Sequence, residues 1–230
     1  MKSKSLFRRI LHNLRSILRP LIFKLYLHSH VKIVVASVGR SGSSVLTDQI
    51  ANAYFSKYLP KFLWPLRKLL IPCICEYCDY LNEITIFSGP IIKTHDQYSA
   101  PLNVAVPVKF IFIYCDPLES ALSVSRQRYL KSDEWVASHI EHLRGEGSPE
   151  DIFYRDALNF KNQIVSWFKS PALKIKYPDF WDDQDSISRF LELDINLPLY
   201  IERSIANGEL PNEYNKQMFE DLRQLLRSYE

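Results

Sequence analysis

Apolar positions along this chain fall into two kinds of run, short unbroken ones and longer periodic ones. The runs at 33–36 (IVVA) and 110–114 (FIFIY) are β-branched or aromatic with no polar alternation, as in strands buried on both faces of a parallel sheet. Ile91 and Ile92, after the turn signal Ser88-Gly89-Pro90, and the stretch 172–177 read as further strands. Val45, Leu46, Ile50, Ala53, Tyr54 and Phe55 recur at helical spacing. Ser148-Pro149-Glu150-Asp151 is a helix start, and Phe153, Leu158, Ile164, Trp167 and Phe168 carry that helix to about residue 169. Shorter helices are expected at 186–193 and, as an amphipathic closing element, at 212–229. The Pro- and aromatic-rich stretch 59–72 interrupts the regularity and is a candidate pocket wall. The fold class this predicts is α/β, a three-layer parallel sheet flanked by helices.

Charge divides the chain at about residue 30. Of 230 residues, 29 are Lys or Arg and 26 are Asp or Glu, a net charge of +3. Lys2, Lys4, Arg8, Arg9, Arg15, Arg19 and Lys24 supply seven of those cations with no acid among them, so 31–230 carries about −4. Leu6, Ile10, Leu14, Ile17, Leu18, Leu21 and Leu25 repeat at helical spacing, with Pro20 as a kink. Residues 1–30 therefore read as a basic amphipathic helix ahead of a single domain at 31–230, long enough for one substantial core. Such a helix suits an anionic membrane surface, contacted through residues 2–27. A helix docked on the domain and a cleavable Arg-rich presequence are the alternatives. No charge-free apolar run approaches the ~20 residues of a transmembrane helix. No secretory signal is evident, so the expected location is cytoplasmic, peripheral on a membrane, with no nucleic-acid partner.

The candidate chemistry begins where the 33–36 strand ends. Ser37-Val38-Gly39-Arg40-Ser41-Gly42-Ser43-Ser44 holds two of the six glycines, then two hydroxyl residues suited to capping the following helix. A strand, a glycine-bearing turn and a helix N-terminus form an anion site, because unpaired N–H groups and the helix dipole converge there. Arg40 adds a fork of donors for a phosphate or sulfate oxygen. No lysine follows Gly42, so this is not a Walker A motif. The plain alternative is an ordinary tight βα turn. R-S-G-S-S after a hydrophobic strand resembles the 5′-phosphosulfate loop of sulfotransferases that use 3′-phosphoadenosine 5′-phosphosulfate (PAPS), above all the carbohydrate-modifying ones. The resemblance implies a P-loop nucleotide-binding-like fold. It also implies that Ser41 to Ser44 wrap the 5′-phosphate, that Gly39 belongs to the same cofactor-binding loop and that Arg40 contacts the transferring group.

Two more segments are similar to the same family. Asp116-Pro117 after the 110–114 strand, with Glu119 and Ser123, falls in register with the family's R-[DN]-P-x-[DE]-x-x-x-S element, which holds the 3′-phosphate. Cys115 stands where that arginine belongs. Arg126 and Arg128, one turn beyond Ser123, are candidate substitutes, their alternative being a solvated helix face. Lys93-Thr94-His95 resembles the K-T-H segment of the cytosolic members. That implies His95 as general base and Lys93 near the transferring group; a surface histidine is the bland reading. Asp96 is an alternative base, and Asp48 reads as a helix-dipole partner. A looser likeness covers Lys176-Tyr177-Pro178-Asp179-Phe180 and Phe190-Leu191-Glu192-Leu193. The family's R-K-G segment has no match, the nearest text being Arg203-Ser204-Ile205-Ala206-Asn207-Gly208.

Together these imply a sulfotransferase with PAPS as cosubstrate, no metal requirement and an acceptor bearing a hydroxyl, with a tilt towards a glycan or lipid-linked glycan. Two rival classes stay open: a P-loop phosphotransferase, which would bind Mg-ATP, and a non-catalytic binding protein of the same fold. Cys73, Cys75 and Cys78 form C-x-C-x-x-C, three thiols short of a recognised zinc spacing. Reduced thiols packed in an apolar segment are the expectation.

Overall fold

β1 (Lys32–Ser37) has all six residues buried and forms the middle of a five-stranded sheet ordered β2-β3-β1-β4-β5. The computed structural model describes residues 21–22, 30–85, 88–99, 102, 104–201 and 213–230. The expected basic helix, apart from Leu21 and the buried Ile22, and the segment from Arg203 to Gly208 lie outside them. β2 (Cys75–Cys78), β3 (Ile91–Thr94), β4 (Val108–Tyr114) and β5 (Leu173–Lys176) all run parallel to β1. Ile33 faces Ile91 on one side and Lys109 on the other. Parallel strands need crossovers. α1 (Ser43–Tyr58) and α2 (Arg67–Ile74) lie between β1 and β2, α3 (Pro117–Leu130), α4 (Asp133–His142) and α5 (Phe160–Phe168) lie between β4 and β5, and α6 (Gln184–Leu191) and α7 (Lys216–Arg227) follow β5. The architecture is thus α/β, with an all-parallel central sheet flanked by helices.

The order of the strands places a site. From β1 the chain builds β2 and β3 on one side, then crosses to build β4 and β5 on the other. Connections therefore part in opposite directions at the carboxyl end of β1, leaving a crevice where α/β sheets bind their ligands. Core packing fixes the layers around it. Trp167 of α5 is fully buried and stacks on Phe112 of β4, centroids 5.5 Å apart and planes within 9°. Its indole N–H donates to the carbonyl of Asp96 at 2.8 Å, tying α5 to the turn after β3. Lys32 is 1 % exposed, and its ammonium is satisfied by the carbonyls of Ser88 and Gly89, just ahead of β3.

Several sequence expectations change. The helix expected from 148 to 169 is two pieces, a 3-10 turn (Pro149–Phe153) and α5. Asp156 breaks it by accepting hydrogen bonds from the amides of Phe160 and Lys161, while Asn159 adopts a left-handed φ of 56° as the cap of α5. Asp and Asn offer the backbone local partners, which favours caps over helix interiors. The irregular stretch 59–72 is a 3-10 helix (Lys61–Leu66) leading into α2, and no residue of that 3-10 helix is buried. Arg67, the first residue of α2, lines a surface cavity of about 440 Å³ with Asn52, Lys57 and Asp194. The helix expected at 186–193 runs Gln184–Leu191 and stops at Glu192, whose φ is 58°.

Candidate functional site

Three adjacent strands, β3, β1 and β4, deliver three sequence motifs to one edge of the sheet. The loop after β1 turns through Arg40, at φ 63°, and Gly42, at φ 78°, into α1. Left-handed geometry is open to glycine but costs an arginine of order 1 kcal/mol, strain of a kind that gathers at functional sites. Gly42 itself is the N-cap, with no side-chain bond. Ser43 and Ser44 occupy the first helical positions and do not cap, contrary to expectation. The ladder of α1 opens with the Val45 and Leu46 amides on the Gly42 carbonyl, so the amides of Gly42, Ser43 and Ser44 stand ahead of it. Around them the loop is tightly packed. Ser41 is buried and donates to the Val38 carbonyl at 2.8 Å, and Ser120 of α3 donates to the Gly39 carbonyl at 2.6 Å. A methyl group on Gly42 would lie 2.7 Å from the Tyr177 ring, and one on Gly39 would lie 2.8 Å from Leu143.

Two hydrogen bonds join the motifs. Arg40 donates through Nε to the Ser123 hydroxyl of α3 at 3.0 Å, linking the first loop to the element after β4. Lys93, at the end of β3, donates to the Ser44 hydroxyl at 2.8 Å. Both partners are neutral hydroxyls, and the bonds orient the two cations. Burial pushes the Lys93 ammonium below the usual lysine range, Asp48 opposing the shift and Arg40 adding to it.

His95 follows β3 and is 8 % exposed. Its Nδ1 lies 2.7 Å from the Ser37 carbonyl and 3.2 Å from the Ser37 hydroxyl. A carbonyl only accepts, so Nδ1 carries the proton and Nε2 keeps its lone pair. Burial pushes the pKa down to about 4, the Ser37 bond opposing and Lys93 adding to the shift. At neutral pH this is an uncharged imidazole with its basic nitrogen unprotonated. Asp96, the alternative base, has structural employment: its carboxylate accepts from the amides of Leu81 at 2.8 Å and Gln97 at 2.9 Å. Asp48 is exposed and is the sixth residue of α1, beyond the first turn, so it is not the dipole partner expected.

Around β4 the picture is mixed. Asp116 caps α3 as expected, accepting from Leu118 at 2.9 Å and Glu119 at 3.1 Å, with Pro117 at the first position. It also holds Arg223 of α7 in a two-pronged ion pair, at 2.6 and 3.0 Å. Burial alone would raise the Asp116 pKa, but Arg223 and the two amides outweigh it and hold the group below the usual carboxylate range. A depressed acid stabilises the fold above its unfolded pKa and loses that contribution as pH falls through the folded one. Arg223→Gln is accordingly expected to cost about 1–2 kcal/mol at pH 7. Urea titrations should show that difference shrink as pH falls below the usual carboxylate range.

Cys115 is a buried thiol, 2 % exposed. Arg128 pairs with Asp133 at 2.5 Å and with Glu150, so two carboxylates already partner the cation that the sequence offered as a substitute. Arg126 lies on α3 three residues beyond Ser123, on the same face. Cys73 is buried, Cys75 and Cys78 half-buried, and they span the end of α2 and the edge strand β2. Among the described residues no group of three or more His, Cys, Asp or Glu is placed to hold a metal.

Sequence reasoning missed α4 and what it brings. His139 stacks on Trp135 at 4.9 Å and meets His95 edge-on at 5.9 Å. Its Nε2 is buried without a hydrogen-bond partner, beside Gly39. Burial pushes its pKa down to about 3, with His95 and Arg40 adding to the shift. Tyr77 of β2 lies 6.0 Å from His95 and 5.7 Å from His142. The available signal was Ser132-Asp133-Glu134, a cap and two acids that open α4 as similar residues open the turn at 148.

The chain matches no protein-family model and no curated protein. Among solved structures it is similar to a retinol dehydratase in complex with androsterone and the inactive cofactor PAP, at 16 % identity and a TM-score of 0.33. The match covers 86 % of this chain, which spans 64 % of that one. A likeness that low decides nothing about this site, and the fold stands on its own sheet order.

Proposed function

We propose that the chain is a sulfotransferase that moves a sulfuryl group from PAPS to an acceptor hydroxyl. The observation that carries this reading is the joining of three motifs by the Arg40–Ser123 and Lys93–Ser44 bonds at the carboxyl end of β1. The loop fits an anionic phosphosulfate: a methyl group at Gly39 or Gly42 would collide with its packing, and three amides precede the helical ladder. Gly39, Ser41, Gly42, Ser43 and Ser44 would wrap the 5′-phosphate, and Ser123 and Arg126 would hold the nucleotide from α3. PAPS supplies an activated sulfuryl group whose leaving group is the 3′,5′-bisphosphate.

The protein's own work is then positioning and charge. Negative charge grows on the bridging and sulfuryl oxygens, where Arg40 and Lys93 stabilise it with hydrogen bonds already oriented. His95 takes the acceptor's proton at Nε2, and the Ser37 carbonyl holds the imidazole in the tautomer this requires. The Ser37 bond also stabilises the imidazolium once formed. No step calls for a metal. The acceptor is read as a hydroxyl on a glycan or lipid-linked glycan, met by a catalytic domain at 31–230 that residues 2–27 hold to an anionic surface. Among the described residues no helix is long and apolar enough to cross a membrane.

Calorimetric titration with 3′,5′-adenosine bisphosphate, without magnesium and against ADP, tests the reading. Selective binding of the bisphosphate, weakened about tenfold or more in Arg40→Ala, is the expected result. Binding of neither nucleotide would mark Cys115 as the trace of a lost site and leave a non-catalytic binding protein. Magnesium-dependent preference for ADP would turn the assignment to phosphoryl transfer.

A further inference from the structure

The 3-10 helix Lys61–Leu66 has the sequence KFLWPL, yet none of its six residues is buried. Phe62 is 70 % exposed, Trp64 45 % and Leu66 48 %, three large apolar side chains within five residues. A short helix with that composition gains nothing by facing water. Its charge is as one-sided as its hydropathy. From residue 49 to residue 75 there is no acid, while Lys57, Lys61, Arg67 and Lys68 are all basic. Lys61 and Lys68 are exposed at either end of the apolar group. This lies in a body, 31–230, whose net charge is about −4.

We infer that Lys61–Leu66 and the adjoining start of α2 form a membrane-docking face, whose partner is the interface of an anionic lipid bilayer. Aromatic side chains flanked by lysines suit that boundary: Phe62, Trp64 and Leu66 enter the acyl edge while Lys61 and Lys68 meet the headgroups. Charge disfavours the other occupants. A second copy of the chain would set one basic face against another across a two-fold axis. The segment 2–24 carries seven cations and no acid, so it too would be repelled. The inference is independent of the chemistry proposed for the β1 loop and introduces a lipid contact separate from residues 2–27.

The test uses the full chain, with flotation on phosphatidylcholine vesicles that contain or lack phosphatidylserine. Wild type should float with the anionic vesicles. Phe62→Ser/Trp64→Ser should reduce partitioning about tenfold or more with its melting unchanged, since both side chains are exposed. Lys61→Glu/Lys68→Glu should weaken the preference for phosphatidylserine. Brominated lipid gives the positional readout: Trp64→Phe should still float but lose much of the tryptophan quenching. Unchanged partitioning in the serine variant, or unchanged quenching in Trp64→Phe, would assign lipid contact to another segment and overturn the inference. So would absence of vesicle binding, or a wild-type dimer that the serine variant dissociates.

Discussion

Replacing His95 with glutamine should lower turnover by roughly 10²–10⁴-fold while leaving bisphosphate affinity near wild type. Glutamine has similar reach and can still donate to the Ser37 carbonyl, but it cannot accept a proton as a base. Pre-steady-state assays with labelled PAPS would read the loss in kcat, and calorimetry would check affinity. The pH profile gives the reading its sharper form. An ordinary histidine would lose its basic form below about pH 6.5. With the His95 pKa pushed down to about 4, the acid limb of kcat should fall near pH 4. Stability follows the same sign: the unfolded state binds protons that buried His95 and His139 refuse, so acid favours unfolding below about pH 6.5. His95→Gln should flatten part of that slope in urea titrations. An acid limb near pH 6.5, or turnover unaffected by the substitution, would remove His95 from the role of base.

Gly42→Ala carries the second large effect. Two costs arise at one position, because φ is 78° and the added methyl would meet the Tyr177 ring at 2.7 Å and Phe180 at 3.1 Å. Left-handed strain in a residue with a Cβ is about 1–2 kcal/mol, and overpacking against a buried ring adds about 1–3 kcal/mol. The neighbours cannot yield cheaply, since Phe180 is fully buried and its ring stacks on Trp181 at 4.1 Å. A loss of about 2–5 kcal/mol in chemical denaturation is expected. Bisphosphate binding should disappear even where the protein remains folded, because the amides of Gly42, Ser43 and Ser44 shift with the turn. A fully stable variant that binds normally would show that the loop has another conformation and that these amides do not form the cradle.

Local physics wrote some of this protein directly into its sequence. Unbroken runs such as IVVA and FIFIY can be satisfied only by burial on both faces, so β1 and β4 were legible. Pro117 after Asp116 sets the start of α3 through a fixed φ and a capping carboxylate, and both act within four residues. The glycines of 39–44 marked the turn from β1 into α1 for the same local reason. Other features depend on partners far along the chain. β2 is a four-residue edge strand that exists by pairing with β3, Cys75 opposite Ile91, and its sequence CEYC carries no strand pattern of its own. The break at Asp156 was hidden because the apolar period runs across it, while the side-chain bonds that end it depend on the turn conformation. Arg128 looked available in the sequence, but the fold brings Asp133 and Glu150 to it. Arg223, more than a hundred residues beyond Asp116, reaches it only when α7 packs beside α3. His95 shows the division most clearly. The sequence placed a histidine at a strand end, and its neighbours suggested a base. Its tautomer and acid-shifted pKa come from burial beside the Ser37 carbonyl, 58 residues away, because desolvation and long-range pairing exist only once the chain has folded.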